Sequence, residues 1–331
     1  MKALLSHEPG GPDTLRLTEM PELAPGPGEL LVRVRACAIN FPDVLIIEDK
    51  YQLKPQRPFA PGGEIAGEVL AVGEGVNGWS AGDRLIAATG FGGLAEQVVI
   101  PAGRAITLPS ERSFQQGSAL LMTYATAIHA LVDRGRLRAG QKLLVLGAAG
   151  GVGLAAVEIG KALGASVIAA CSSSEKAEVA GEAGADTAIV YPPGPFDREG
   201  LKALSQLFKE AVGPDGADVI LDPVGGDYTE AALRSIGWEG RFLVVGFPAG
   251  IAKLPLNLTL LKSCDVCGVF WGAFAARDPE ANAAHVKQLF RWWDEGRIAP
   301  KISATYPLER AGEAIAALRD RRAAGKLVVT L

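Results

Sequence analysis

The sequence predicts an α/β protein in which a doubly wound parallel sheet is joined to a second, mostly β domain. Three observations carry this. At 331 residues the chain exceeds what one compact core usually holds. The N-terminal part is a series of short apolar runs broken by Gly and Pro, the pattern of a compact β domain. From Thr123 onward, strand-like runs alternate with helical spacing.

In the first part, residues 29–36, 64–72, 84–88 and 94–100 read as strands, each bounded by turn residues. In the second, strands at 142–147, 166–171, 187–191, 218–222, 241–245 and 266–271 alternate with helices at 151–163, 175–183, 198–212, 228–236 and 257–262. Six strands with crossover helices make a doubly wound sheet. The tail reads as a helix over 281–295, a strand bounded by prolines, and a helix over 308–321. The expected division is therefore 1–122, 123–271 and 272–331.

Composition narrows the function. The chain is 48% hydrophobic and 21% charged with net charge −4, an ordinary globular mixture without the basic footprint of a nucleic-acid protein. No apolar run reaches the ~18 residues of a membrane helix. The N-terminus carries no signal-peptide pattern, so a cytoplasmic location is expected. The four cysteines are too few for a disulfide framework. Cys264 and Cys267 form a CxxC in a strand-like run, where positions three apart face opposite sides, so a shared metal is not expected.

The chemistry-bearing motif is Gly147-Ala148-Ala149-Gly150-Gly151-Val152-Gly153. It follows a buried-strand run and opens a helix, the context that turns a glycine motif into a pyrophosphate site. Glycine lets the backbone turn tightly and come close to the phosphates. About 20 residues on, where NAD-selecting folds carry a carboxylate, stands Ser173. Hydroxyls and Lys176 suit a 2′-phosphate, which a carboxylate would repel, so NADPH is the expected cofactor. Ser172 with Glu175 also spells a capping box for the next helix. Gly78-Trp79-Ser80-Ala81-Gly82 matches the nucleophile elbow GxSxG but lacks the strand before and the helix after.

Further motifs are Asn40-Phe41-Pro42-Asp43, Pro61-Gly62-Gly63-Glu64-Ile65-Ala66-Gly67, Gly82-Asp83-Arg84, Asp222-Pro223-Val224-Gly225-Gly226 and Gly240-Arg241-Phe242. With the glycine turn, they make the chain resemble, end to end, the medium-chain dehydrogenase/reductase superfamily in its zinc-independent NADPH:quinone oxidoreductase branch. The resemblance implies a GroES-like catalytic domain, a Rossmann domain, a tail that returns to the former, and a cleft between the two. Zinc-dependent relatives carry Cys at position 40 and His at position 63; here these are Asn40 and Gly63, so no metal is expected.

The resemblance assigns cofactor contact to Asn40, Thr126, Ala149, Gly150, Gly151, Val152, Ser173, Lys176, Tyr191, Gly246, Phe247 and Phe270. It adds Lys326 on a C-terminal loop closing on the cofactor. It also implies a homodimer paired through the strand at 266–271. Tyr51 matches a pocket tyrosine of quinone reductases and the proposed proton donor of 2-enoyl-thioester reductases, while Leu45 replaces a second pocket tyrosine. Tyr51 is thus a candidate catalytic residue with Asn40; the alternatives are a packing tyrosine and a turn-capping asparagine. Asp43 and Glu64, amid apolar neighbours, read as buried, hydrogen-bonded acids, and His129 as a structural histidine. The expected activity is hydride delivery to a quinone or α,β-unsaturated carbonyl. A 2-enoyl-CoA reductase and a redox-sensing or structural NADPH-binding protein are the alternatives.

Overall fold

The computed structural model describes residues 1–331. The chain forms two compact units, one of Met1–Met122 with Pro300–Leu331 and one of Thr123–Ala299.

In chain order, β1 (Lys2–Leu5) and β2 (Arg16–Glu19) form an antiparallel pair. There follow β3 (Glu29–Ile39), α1 (Phe41–Ile47), β4 (Glu64–Val72), β5 (Arg84–Ala88), β6 (Gln97–Pro101), β7 (Ala105–Thr107) and α2 (Phe114–Ser118). π-helical turns at Leu121–Ala125 and His129–Arg134 flank the short α3 (Thr126–Ile128). The second unit then alternates β8 (Lys142–Leu146), α4 (Gly151–Ala162), β9 (Ser166–Cys171), α5 (Ser174–Glu182), β10 (Thr187–Val190), α6 (Arg198–Val212), β11 (Ala217–Asp222), α7 (Asp227–Leu233), β12 (Ile236–Val244), α8 (Asn257–Lys262) and β13 (Asp265–Gly268). It ends with α9 (Trp271–Arg277) and α10 (Pro279–Asp294). The chain returns to the first unit through β14 (Ile302–Pro307), α11 (Ala311–Arg319) and β15 (Lys326–Thr330).

The second unit's sheet has the order β10-β9-β8-β11-β12-β13 with every neighbouring pair parallel. Its central strand is apolar without alternation, and Leu143, Leu144, Val145 and Leu146 are fully buried, because helices cover both faces. The order reverses direction between β8 and β11, and at that point open α/β sheets bind ligands. α6 shows how local cues set an element. Asp197 accepts from the Gly200 amide at 2.7 Å, Leu204, Phe208 and Val212 face the core, and Gly213 at φ +79 ends the helix.

The first unit's sheet runs β14-β15-β3-β4-β5-β7, with β6 also paired to β3. β15 pairs antiparallel with the end of β3, setting Val329 opposite Cys37 and Leu327 opposite Ile39. The core beneath it holds Leu30, Val32, Ile65, Leu85 and Val329.

Three expectations change. The return to the first unit begins at Pro300, not at 272, because Trp292, Trp293 and Ile298 are buried in the second unit and Trp271 Nε1 donates to Asn282 Oδ1 at 2.8 Å. The strand expected over 266–271 ends at Gly268, since Trp271 is buried as the first residue of α9. The helix expected over 228–236 stops at Leu233, and β12 begins at Ile236.

Candidate active site

The glycine turn lies at the end of β8, where the strand order reverses. Gly147 has φ +55, a conformation side chains rarely adopt. A Cβ at Gly153 would stand 2.3 Å from the Gly147 carbonyl oxygen, so helix and turn can close only on glycine. Gly150 is the N-cap of α4 and has no side chain to accept the first-turn amides. A twelve-residue helix thus presents open N–H donors and its positive end beside a turn with no Cβ at Gly150 or Gly151. These features fit a dinucleotide pyrophosphate, with Ala149, Gly150, Gly151 and Val152 at the opening.

Around this turn the other expected cofactor residues are placed unevenly. Ser173, rather than Ser172, is the N-cap of α5; its Oγ accepts from the Lys176 amide at 3.3 Å. Lys176 Nζ donates to Ser172 Oγ at 3.4 Å. Exposed Glu175 is held below the usual carboxylate range by the Ser173 hydroxyl and stays ionised beside them. Tyr191 is in the core beneath the turn, its ring 5.0 Å from that of Tyr228, and burial pushes its hydroxyl far up. Gly246 and Phe247 lie in the loop after β12, which is stitched to the loop after β11: Ala249 N–H donates to Val224 O at 2.8 Å and Gly226 N–H to Gly250 O at 2.7 Å. Phe270, exposed, precedes α9, and Thr126, partly exposed, opens α3.

The sequence marks Asp222 only as part of a motif and assigns it no role, yet it shapes the second loop. Asp222, buried at the end of β11, accepts from the Val224 and Gly225 amides at 2.8 Å each and from the Thr229 hydroxyl at 2.5 Å. Burial raises its pKa against those three bonds. An acid ending a buried strand and followed by Pro-x-Gly-Gly was the available signal.

The first unit gathers Asn40, Asp43, Glu64 and Lys326 into one buried network. The Asn40 amide donates to Ala38 O at 3.2 Å and to Glu64 Oε2 at 2.9 Å, and its Oδ1 accepts from Lys326 Nζ at 2.5 Å. Lys326 Nζ also lies 3.3 Å from Glu64 Oε2, and Glu64 Oε1 accepts from the Met122 amide at 2.9 Å. Asp43 accepts from the amides of Asn40 (2.7 Å), Gly62 (3.0 Å) and Gly63 (3.1 Å). Burial pushes its carboxyl up to about 6, opposed by those amides and by the Lys326 charge. Gly62 is required here: φ is +96, and a Cβ would meet Cys37 Sγ and the Leu94 amide at 2.7 Å.

Both acids are thus buried and hydrogen-bonded, as their apolar surroundings predict. Lys326 departs from its expected loop position. It is the first residue of β15, its side chain only 5% exposed, because the strand pairing carries it onto Asn40 and Glu64. Half-buried Tyr51 packs on the same core, its pKa raised by burial and then by Asp43. In the second unit, His129 Nδ1 meets Asp133 Oδ2 at 2.6 Å and its ring stacks on Phe274 at 4.0 Å, a structural pairing. The elbow-like Gly78–Gly82 stretch is a turn before β5 in which the Ser80 amide donates to Asp83. Cys264 and Cys267 are buried free thiols, and no group of three His, Cys, Asp or Glu side chains is arranged to hold a metal ion. No helix is long and apolar enough to cross a membrane.

Comparison with known proteins defines the class. Residues 26–110 match the alcohol dehydrogenase GroES-like domain, and residues 151–287 match the zinc-binding dehydrogenase domain. Quinone oxidoreductase-like protein 2 of Bos taurus is 36% identical, over 92% of this chain and 86% of the relative. The homologue of that protein in Nematostella vectensis is 39% identical, over 92% and 82%. Among solved structures, the Escherichia coli quinone oxidoreductase complexed with NADPH superposes with TM-score 0.91 at 29% identity over the whole of both chains. A mycobacterial protein complexed with NADPH gives 0.92 at 29%, also over both whole chains. The chain belongs to the medium-chain dehydrogenase/reductase superfamily, in its quinone oxidoreductase branch.

Proposed function

We propose that this chain is an NADPH-dependent oxidoreductase that delivers hydride, without zinc, to a quinone or an α,β-unsaturated carbonyl. The observation that carries this reading is the open helix terminus behind the Gly147–Gly153 turn, at the point where the strand order reverses. The names of the relatives and the NADPH in two similar structures support it. Bound NADPH supplies the hydride; the protein's part is to orient, to exclude water and to manage a proton. Ser172, Ser173 and Lys176 are the proposed 2′-phosphate contacts, the Ser173 hydroxyl turning to the phosphate from Glu175, the opposing charge. The donor set around Asn40 and Gly63 does not suit zinc: the Asn40 amide is spent on Lys326, Glu64 and Ala38, and Gly63 offers only its backbone.

Tyr51 is the proposed proton donor. Burial and the neighbouring Asp43 keep its hydroxyl protonated at neutral pH, so Oη holds a proton for the carbon or oxygen left negative after hydride addition. Leu45, half-buried on α1, removes one aromatic wall of a quinone pocket and favours a 2-enoyl-CoA as the second reading. Turnover of NADPH with a quinone panel and a short enoyl-CoA panel separates these. Binding of NADPH without oxidation by any acceptor would instead leave a sensor or structural protein. Tyr51→Phe should lower alkene reduction about 10²–10⁴-fold with NADPH affinity unchanged; an unchanged rate would remove Tyr51 as donor.

A homodimer through β13 belongs to the same reading. β13 is the sheet's edge, and Val266, Leu256, Leu260 and Leu261 on and before it are exposed at 38%, 73%, 80% and 64%. Light scattering should give twice 34.5 kDa; a species of 34.5 kDa alone would refute it.

A further inference from the structure

A carboxylate outside both clusters sits on the helix behind the dinucleotide turn. Glu158 is the eighth residue of α4, about 10 Å along the axis from the helix start at 1.5 Å per residue. Its Oε2 accepts from the buried Tyr124 hydroxyl at 2.6 Å and from the Ala299 amide at 3.1 Å. Tyr124 is the second residue of its unit and Ala299 the last, so one oxygen binds both ends of that stretch of chain. Tyr124 also precedes Thr126 by two residues, in the π-helical turn that leads into α3.

The groups facing Glu158 from the packed segments, Tyr124 and Ala299, are both neutral donors. Lys161 on its own helix is taken by Asp186, at 2.7 Å, and Arg297 donates to Ala162 O and lies 3.7 Å from Glu295. No cation on these segments is spent on this carboxylate. Burial pushes its pKa up to about 7, against the lowering effect of the two donors.

We propose that Glu158 is a positioning residue that ties both ends of the second unit to the cofactor helix, and that its charge is coupled to dinucleotide affinity. This rests on the dinucleotide reading of the turn. The sign follows from electrostatics. An ionised Glu158 puts a buried negative charge on the helix whose positive end receives the pyrophosphate. Affinity falls as the group ionises, and bound dinucleotide favours its protonated form by the same factor.

The test is a fluorescence titration from about pH 5.5 to 8.5. NADH is the main probe, with NADPH alongside, because the NADPH 2′-phosphate itself titrates near ~6. Wild-type Kd for NADH should rise about three- to tenfold across neutral pH. Glu158→Gln keeps the shape and an acceptor oxygen but cannot ionise; its Kd should stay flat, near the wild-type value at low pH. Tyr124→Phe removes a donor that favours the carboxylate and should move the inflection to higher pH. Should Glu158→Gln not fold, Tyr124→Phe decides alone, and an unmoved inflection overturns the proposal. A flat wild-type profile, or the same inflection in Glu158→Gln, overturns it as well. Failure of both nucleotides to bind at any pH would instead sink the dinucleotide reading, and this proposal with it.

Discussion

The glycine turn of the second unit and the Lys326 network of the first present fixed polar groups, built from different material. The turn is almost wholly backbone: amides of a helix start, a left-handed Gly147, and a Gly153 with no room for a side chain. The network is centred on side chains, an amide from the N-cap of α1, carboxylates from α1 and β4 and an ammonium from β15, with backbone groups completing it. The first depends on the absence of atoms at a few consecutive positions. The second depends on charges that must balance across distant positions. They should therefore fail differently, the turn by steric obstruction and the network by pH-dependent loss of charge compensation.

The largest expected effect on cofactor affinity breaks the turn. Gly153→Val places a Cβ 2.3 Å from the Gly147 oxygen, a contact with backbone that no rotamer relieves. Dinucleotide affinity should fall at least ~100-fold, about 2.7 kcal/mol. Far-ultraviolet circular dichroism would check that the fold survives. Near-normal NADPH binding by a folded Gly153→Val protein would mean that the turn does not carry the cofactor.

The same contrast explains what could be read from the sequence. The turn is contiguous and flanked by a strand and a helix, so periodicity and glycine spacing revealed it. β4, β5 and α6 have the bounds their apolar runs and end signals predict. The start of β12 is not legible in the apolar pattern because its register with β11 is broken: Ala217 pairs with Ile236 but Val219 with Arg241, and the stretch between has Trp238 exposed and Glu239 at φ +57. α1 is not legible because its seven residues give too little periodicity, although Asn40 and Pro42 are good start residues. The Lys326–Asn40 bond spans 286 residues, and no local pattern reports such a pairing. The resemblance named Lys326 as functional, yet only the register of β15 on β3 shows what its ammonium touches. Tyr124 and Glu158 lie 34 residues apart, each an ordinary residue in an apolar segment.

An effect on stability rather than on affinity sharpens the other half of the contrast. Lys326→Met keeps the length of the stem but removes the buried charge, leaving Glu64 and Asp43 without it. Loss of one partner of a buried pair costs about 3–5 kcal/mol. The cost should depend on pH, with a sign fixed by Asp43. Its folded pKa of about 6 lies above the ordinary 3.8, so the stability it contributes is fully present below 3.8 and is lost as pH rises through 6. Because the Lys326 charge lowers that pKa, its removal carries Asp43 further up and extends the loss to higher pH. Urea midpoints of wild type and Lys326→Met should accordingly lie closer together at pH ~5 than at pH ~8, where Asp43 loses its proton without a counter-charge. Lys326→Arg, which keeps the charge, should recover most of the gap at pH ~8. An equal penalty at both pH values, or no recovery with Arg, would mean that position 326 acts through packing and that the network is held by its backbone donors alone.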